Sequence, residues 1–306
     1  MTVGGTARAL AGSDRIPLRI WIMAARPRTL PAAVAPVLVG TALAGSEDRF
    51  RPLAFAAALI GSVFIQIGTN LSNDYSDARR GADTEERLGP VRVTAGGLVP
   101  PRKVLVATWL AFGIAVAAGI YLIAIAGWVL LVVGLASIAA GVLYTGGPRP
   151  YGYEGLGELF VFGFFGIVAV VGSYYVQVEH LGGLAFTLAV PVGLLAAAIL
   201  MVNNIRDIDT DRRAGKRTLA VRLGRRRARR VFAAMIYIPF LWTSVVAIAS
   251  GKPELLLMWL SFLLAPSLVR TVATRTDGPS LNRCLAQAGR LLAAFSVLVS
   301  AGLLLS

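Results

Sequence analysis

Two short acidic segments hold the residues of this chain that are best suited to chemistry. One spans residues 70–77 (NLSNDYSD) and the other spans residues 203–211 (NNIRDIDTD). Each contains two oxygen-bearing side chains four residues apart, a spacing that places both on one face of a helix. The pairs are Asn73 with Asp77 and Asp207 with Asp211. Facing pairs of carboxylate and amide oxygens are suited to hold Mg²⁺ together with the phosphate oxygens of a substrate.

The two segments are related by an internal repeat. A shift of 134 residues places Asn70 on Asn204, Asn73 on Asp207, Asp77 on Asp211 and Gly81 on Gly215. This predicts two copies of a four-helix unit followed by a ninth helix. The alternative is that the acidic residues only balance nearby arginines at the surface. Surface ion pairs require neither this spacing nor its repetition, which favours the metal interpretation.

Cations close to both segments are candidates for binding a diphosphate. Lys216 is the first choice, because it directly follows the repeated glycine. The other candidates are Arg217, Arg149 and Arg79. The alternative role for such cations is contact with anionic lipid, and we assign the run 222–230 to that role because it leads straight into an apolar segment.

The composition indicates that most of the chain lies in lipid. Of its 306 residues, 56% are hydrophobic and 15% are charged, and the mean hydropathy is +0.71. Soluble domains carry nearer to a quarter charged residues. The single cysteine, Cys284, excludes an intramolecular disulfide and a thiolate metal cluster.

Apolar runs long enough to cross a membrane can be read directly from the sequence. We predict an all-α membrane protein of nine transmembrane helices, at Thr29–Gly45, Leu53–Asn70, Val104–Ile123, Trp128–Tyr144, Leu159–Val178, Leu184–Val202, Val231–Ser250, Leu255–Val269 and Leu285–Leu305. Residues 1–16 are predicted to be a disordered tail without a cleaved signal peptide, and residues 17–306 a single domain. Loops at about 71–103 and 204–230 are expected to cap it.

The distribution of positive charge supports this count and sets the orientation. With the N-terminus inside, 27 of the 30 Lys and Arg residues fall in inside segments and 3 fall outside. Cytoplasmic loops carry such an excess, so we expect a multi-pass protein of the bacterial plasma (inner) membrane with a cytoplasmic N-terminus. The net charge of +14 is thereby explained by topology, and no nucleic-acid partner is expected.

Taken together, these residues resemble a known family. Two acidic motifs, Asn73-Asp-x-x-Asp77 and Asp207-x-x-x-Asp211, on nine helices resemble the UbiA superfamily of intramembrane prenyltransferases. The resemblance covers nearly the whole chain after residue 18 and is strongest to the dihydroxynaphthoate branch. The stretches that carry it are Arg26–Ala33, Thr69–Gly97, Gly155–Gln177 and Asn203–Gly224.

The resemblance implies a helical bundle around a central cavity that is capped by the two motif loops and open sideways to lipid. It implies Mg²⁺ at Asn73, Asp77, Asp207 and Asp211, with Asp74 nearby, and substrate contacts from Asn70, Asn204 and Tyr144. Two positions depart from the ubiquinone-type pattern. Gly81 stands where those enzymes carry a third Asp, which favours the naphthoate branch, and Arg149 stands near the place of a Lys.

The implied reaction transfers a polyprenyl group from its diphosphate to 1,4-dihydroxy-2-naphthoate with loss of the carboxylate, which gives demethylmenaquinone. Asp74, Asp77 and Asp211 are the expected catalytic carboxylates. The expected partners are the two substrates and membrane lipid, with no obligate protein partner. The alternatives are another aromatic acceptor, such as 4-hydroxybenzoate or a porphyrin-derived ring, or a secondary transporter. Transporters usually place charges near the midplane, whereas these cluster at one face.

Overall fold

The computed structural model describes residues 16–81 and 88–306, and these ranges contain helices and loops but no strand. The predicted tail lies outside them apart from Ile16. The helices are α1 (Leu18–Ala25), α2 (Pro31–Gly45), α3 (Pro52–Arg79), α4 (Pro101–Ala126), α5 (Val129–Leu143), α6 (Gly157–Val178), α7 (Gly183–Arg213), α8 (Leu219–Ser250), α9 (Pro253–Thr274) and α10 (Gly278–Leu305). Helix α6 includes a π-helical stretch, Phe162–Val168, and α9 begins with 3₁₀ turns, Pro253–Leu264.

The nine predicted apolar runs all fall on these helices, which confirms the all-α membrane fold. Seven helices, α3, α4 and α6 to α10, are long and apolar enough to cross a membrane. Helix α5 is apolar but shorter. The first span is broken: a stretch ending at Thr29 meets α2 at an angle of 55°. Arg26 adopts a left-handed conformation at the break and Pro27 follows it, so the helix cannot continue straight.

The two motif helices extend beyond their apolar runs and end at equivalent positions. Helix α3 ends at Arg79 and α7 at Arg213, which are related by the same shift that relates the motifs. Gly81 and Gly215 follow these ends with φ of 64° and 73°. This left-handed conformation favours glycine and terminates each helix just after its acidic side chains.

Helix α7 is the central helix of the bundle. In its most apolar window 72% of the residues are buried, against 28% in α3. It packs very closely against α6, because Gly166 and Gly193 face each other where an added Cβ on Gly166 would lie 2.7 Å from the Gly193 backbone. Small residues permit such close contact between membrane helices. The second motif therefore projects from a tightly packed support.

The described part of the first cap loop, residues 88–100, folds back onto the bundle. Val93 and Val99 are buried in a small apolar cluster with Ile20, Leu71 and Val104. This packing connects the loop to α1, α3 and α4, and it places Arg92 over the end of α3.

Candidate active site

A cavity of about 1170 Å³ lies between the helices and has two chemically different parts. The end at the motifs is lined by polar side chains of α3 and α7, namely Asn70, Asn73, Asp74, Asp77, Asn203, Asn204, Asp207 and Asp211. The opposite end is lined mainly by apolar residues, among them Ala58, Leu122, Ile123, Leu130 and Val176. The structure thus brings both predicted motifs into the wall of one cavity.

Asp77 is the most heavily contacted acidic residue of the first motif. The Tyr153 hydroxyl donates to its Oδ1 at 2.6 Å, and Arg92 Nη2 donates to its Oδ2 at 3.1 Å. Lys216 Nζ lies 3.6 Å from Oδ1 and 4.7 Å from the centre of the Tyr153 ring. Asp77 is only 2% exposed. Three separate loops therefore supply partners to one buried carboxylate.

Asp207 is paired with its neighbour Arg206. Arg206 Nε donates to Asp207 Oδ1 at 2.8 Å, and Arg206 Nη2 donates to Oδ2 at 2.5 Å. Arg206 also donates to the side-chain oxygens of Asn203 and Asn282, at 2.7 Å and 2.6 Å. A bidentate pair of this kind fixes the plane of the carboxylate.

The remaining predicted metal ligands also lie in the cavity wall. Asn73 Oδ1 accepts a hydrogen bond from Thr145 Oγ1 at 3.0 Å, which connects the first motif to the end of α5. Asp211 lines the cavity from the last turn of α7, and its main-chain oxygen accepts from Lys216 N at 2.8 Å. This bond turns the chain back so that Lys216 faces the cavity.

Asp74, which is predicted to be a catalytic carboxylate, contacts the first cap loop. Its Oδ2 accepts from Val93 N at 3.1 Å and its Oδ1 accepts from Thr94 N at 2.8 Å. Both carboxylate oxygens thus hold the main chain of the first cap loop. These contacts allow Asp74 to position that loop, and with it Arg92.

The repeated asparagines brace the chain around the cavity. Asn70 Nδ2 donates to Ala25 O at 2.9 Å and to Thr29 Oγ1 at 3.2 Å, across the break in the first span. Asn204 Nδ2 donates to Glu158 Oε1 at 2.8 Å, at the start of α6. Both line the cavity, but their amide groups hold protein atoms, a role that the sequence did not indicate.

Tyr144 belongs to an aromatic wall of the cavity. Its ring centre lies 5.4 Å from that of Tyr151, which in turn stacks on Phe160 at 4.0 Å. The Tyr151 hydroxyl donates to Ala140 O at 2.8 Å, and burial raises the pKa of Tyr151 well above its ordinary value. This phenol therefore stays protonated at neutral pH.

Three of the four predicted diphosphate-binding cations lie elsewhere. Arg79, Arg149 and Arg217 are exposed, and none of them lines the cavity. Arg79 Nη1 instead donates to Tyr75 OH at 3.2 Å. Of the four, only Lys216 lines the cavity, and Arg217, one residue further along the same loop, does not. The cations that line the cavity in addition to Lys216 are Arg26, Arg28, Arg92, Arg283 and Arg290.

The donor set fits a hard divalent cation that shares its coordination with a substrate. Within residues 16–81 and 88–306, no group of three or more His, Cys, Asp and Glu side chains is close enough to hold a metal ion. The side chains facing the cavity nevertheless offer carboxylate and amide oxygens, the ligands that Mg²⁺ takes. Mg²⁺ usually completes such a partial set with water and phosphate oxygens.

Comparison with known proteins finds one family model and several relatives that match most of the chain. The model of the UbiA prenyltransferase family matches residues 33–299. The chain is 38% identical over 286 residues to the 1,4-dihydroxy-2-naphthoate octaprenyltransferase of Mycobacterium leprae (strain TN), covering 94% of this chain and 96% of that protein. It is 40% identical over 256 residues to the enzyme of that name from Escherichia coli (strain K12), covering 82% of each.

Solved structures show the same fold. A UbiA homolog from Aeropyrum pernix K1 superposes with a TM-score of 0.65 at 18% identity, covering 96% of this chain and 99% of that one. A UbiA homolog from Archaeoglobus fulgidus bound to GPP and Mg²⁺ gives a TM-score of 0.64 at 13% identity, covering 92% and 99%. The family model spans most of the chain and the relatives exceed 30% identity over most of their length, so this protein is a multi-pass membrane prenyltransferase that belongs to the UbiA family.

Proposed function

We propose that this enzyme transfers a polyprenyl group from polyprenyl diphosphate to 1,4-dihydroxy-2-naphthoate, with loss of the acceptor carboxylate as CO₂. The observation that carries the proposal is a single cavity with carboxylates and cations at one end and an apolar lining at the other. The names of the relatives from Mycobacterium leprae and Escherichia coli support the acceptor.

The polar end is suited to the diphosphate. Lys216 and Arg92 both contact Asp77 and both line the cavity, so they are placed to donate to phosphate oxygens beside the acidic side chains. Their positive charge stabilises the negative charge that develops on the leaving diphosphate. We propose Asn73, Asp77, Asp207 and Asp211 as the oxygen ligands of Mg²⁺, which when bound neutralises the same developing charge.

The apolar end is suited to the prenyl chain. Along α3 the cavity wall extends from Asp77 to Ala58, a distance of about 28 Å at 1.5 Å per residue. That distance is close to the ~30 Å hydrocarbon thickness of a membrane. An extended hydrocarbon chain can therefore lie inside the bundle with its diphosphate at the motifs. Enclosure by apolar walls also keeps water away from the reactive allylic carbon.

The aromatic wall gives the acceptor a surface of matching chemistry. Tyr151 and Phe160 stack, and Phe164 extends the wall with its ring centre 6.1 Å from that of Phe160. A flat electron-rich ring packs well against such rings, and their faces also stabilise a nearby allylic cation. The reaction breaks the bond from the prenyl carbon to diphosphate, forms a bond from that carbon to the ring, and breaks the ring–carboxylate bond.

Asp77 and Asp211 are the proposed acceptors of the phenolic proton, because both line the polar end of the cavity. A carboxylate within hydrogen-bonding reach of the phenol can take its proton as the ring attacks. Loss of CO₂ leaves the bonding electrons on the ring, and the carboxylate then returns the proton to the oxygen, so the product is the hydroquinone. Asp77 accepts hydrogen bonds from Tyr153 and Arg92 in the resting structure.

We also propose that the protein lies in the bacterial plasma membrane with its N-terminus in the cytoplasm. Both motifs line the same cavity, and 27 of the 30 Lys and Arg residues fall in segments predicted to lie on the inside. The substrate diphosphate would then enter from the cytoplasm.

The proposal is tested with the purified full chain in detergent and a radiolabelled polyprenyl diphosphate. We expect a lipid-soluble labelled product with 1,4-dihydroxy-2-naphthoate, together with ¹⁴CO₂ when the carboxylate carries the label. Turnover with 4-hydroxybenzoate but not with the naphthoate would instead support the alternative acceptor. No prenyl transfer to either acid would contradict both assignments.

A further inference from the structure

Arg206 is a buried cation inside the second acidic motif that the proposed reaction does not use. It is 1% exposed, and all three of its guanidinium nitrogens donate to side-chain oxygens. Two of these nitrogens occupy both oxygens of Asp207, a proposed metal ligand. Arg206 is thus directed at the metal-binding side chain rather than at solvent.

Asn282 holds Arg206 from the opposite side of the cavity end. Its Oδ1 accepts from Arg206 Nη1 at 2.6 Å, and its own Nδ2 donates to Leu88 O at 3.0 Å. The last helix, α10, therefore connects the second motif to the first cap loop. Because Asn203 on α7 also accepts from Arg206, the guanidinium is fixed from two helices.

Among the described residues that line the cavity, positive side chains outnumber carboxylates. The described residues that line the cavity include four carboxylates, Asp74, Asp77, Asp207 and Asp211, against six cations, Arg26, Arg28, Arg92, Lys216, Arg283 and Arg290. Behind them Arg206 adds a further positive charge, 2.5 Å from Asp207. The charges of the described residues thus favour binding of an anion over binding of an isolated divalent ion.

We propose that Arg206, held by Asn203 and Asn282, is a fixed counter-cation that prevents Asp207 from binding a bare divalent ion tightly, so that metal binds together with diphosphate. The inference rests on the proposed function, since it assumes that Asp207 is a metal ligand. It adds a positioning residue, Asn282, and an order of binding that the reaction alone does not require.

The change in affinity for a bare metal ion when Arg206 is replaced distinguishes this role from a purely structural one. An arginine that only oriented Asp207 would assist the metal, and loss of such an orienting partner typically weakens metal binding by about 10–100-fold. A counter-cation competes with the metal, and its loss strengthens binding of the bare ion. The two roles thus predict opposite changes.

The test measures binding of Mn²⁺ alone by electron paramagnetic resonance, with the full chain in detergent and no substrate. We expect Arg206→Met to tighten binding of bare Mn²⁺ by about tenfold or more, as for a coupling of about 5–150-fold. Arg206→Lys keeps the charge but loses the two-nitrogen contact to Asp207, so it should tighten Mn²⁺ binding less than Arg206→Met does. The matched control is Arg225→Met, which removes an arginine of α8 that lies 2.7 Å from Asp209 of α7. Neither residue lines the cavity, so Mn²⁺ binding should not change.

Asn282→Ala provides a second variant should Arg206→Met fail to fold, since it releases Arg206 without removing its charge. We expect it to tighten bare Mn²⁺ binding by a smaller factor. Unchanged or weaker binding in the folded variants would overturn the inference. Inorganic pyrophosphate separates the two proposals: if it promotes Mn²⁺ binding to the wild type, the metal–diphosphate site stands whatever the variants show. If Mn²⁺ binds neither alone nor with pyrophosphate, both proposals are wrong.

Discussion

Lys216, which follows the second motif, lies 3.6 Å from the carboxylate of Asp77 in the first motif. The two residues are far apart in sequence and come from different halves of the internal repeat. Their contact closes the polar end of the cavity, and it places a cation where the two motif helices end. The residue after Lys216 points away, which provides a matched pair for experiment.

Lys216→Met should lower kcat/KM for the polyprenyl diphosphate by about 10²–10³, the usual loss when one donor to a developing negative charge is removed. Arg217→Met removes an identical charge from the adjacent exposed position and should remain near wild type. Steady-state kinetics with varied diphosphate substrate measure both. An equal loss of kcat/KM in the two variants would mean that the overall positive charge of the loop matters, rather than contact of Lys216 with the diphosphate.

Asp77→Asn and Asp211→Asn should each lower turnover by about 10²–10³, because each removes a negative charge from the proposed ligands while keeping the side-chain shape. The control is Asp277→Asn, at the N-cap of α10, where the side chain accepts from Ser280 N at 2.8 Å. Hydrogen bonds from Ser280 lower the pKa of Asp277, so this substitution also removes one charge at neutral pH. Asparagine is a good N-cap, and activity should be retained.

If the motif carboxylates formed only surface ion pairs, each worth about 0–1 kcal/mol, their loss would barely change turnover. The assignment of both motifs to the metal site predicts a large loss instead. Near-normal turnover of Asp77→Asn and Asp211→Asn at saturating Mg²⁺ would show that these carboxylates are structural.

Removal of divalent ions should abolish prenyl transfer, because the proposed carboxylate and amide ligands are completed by a metal–diphosphate complex. EDTA added to the purified protein should stop turnover, and an excess of Mg²⁺ should restore it. Full activity in excess chelator would rule out the metal mechanism.

Gly119→Leu should select against long prenyl chains. Gly119 lines the apolar part of the cavity on α4, and a Cβ added there meets no atom within 4 Å, so a leucine would extend into open space. We expect activity with long polyprenyl diphosphates to fall more than activity with geranyl diphosphate. Gly113→Leu is the control, because Gly113 is exposed on the same helix and does not line the cavity. Equal effects on all chain lengths would contradict the assignment of this region to the prenyl chain.

The topology prediction follows from the charge distribution, which places both cap loops in the cytoplasm. A cysteine introduced at Glu85 or Arg226 should resist an impermeant thiol reagent in intact cells and react after permeabilisation. A cysteine at Lys252, in a predicted outside loop, should react in intact cells. Native Cys284 is buried and should contribute little background. Labelling of either cap loop in intact cells would contradict the proposed orientation.

Much of the architecture could be predicted because its signals are local. The nine apolar runs correspond to helices of the structure because a membrane requires every segment that crosses it to be apolar and to satisfy its own backbone hydrogen bonds. The spacing of Asn73 and Asp77 also predicted a shared helical face, because side chains four residues apart lie on one face of a helix. The break at Arg26 was not predicted, since a single left-handed residue leaves no mark in hydropathy.

The composition of the site depended on contacts between distant parts of the chain. Neighbouring residues of the same charge, Lys216 and Arg217, differ only in the direction that the loop gives them, and the main-chain bond from Lys216 to Asp211 sets that direction. In the same way Asp74 was singled out from its chemistry, but its contacts with the amides of Val93 and Thr94 were not predicted. The sequence alone therefore determined which side chains are available at the membrane surface. Only the tertiary structure decided which of them face the cavity, because that depends on loop geometry and on partners that no local pattern specifies.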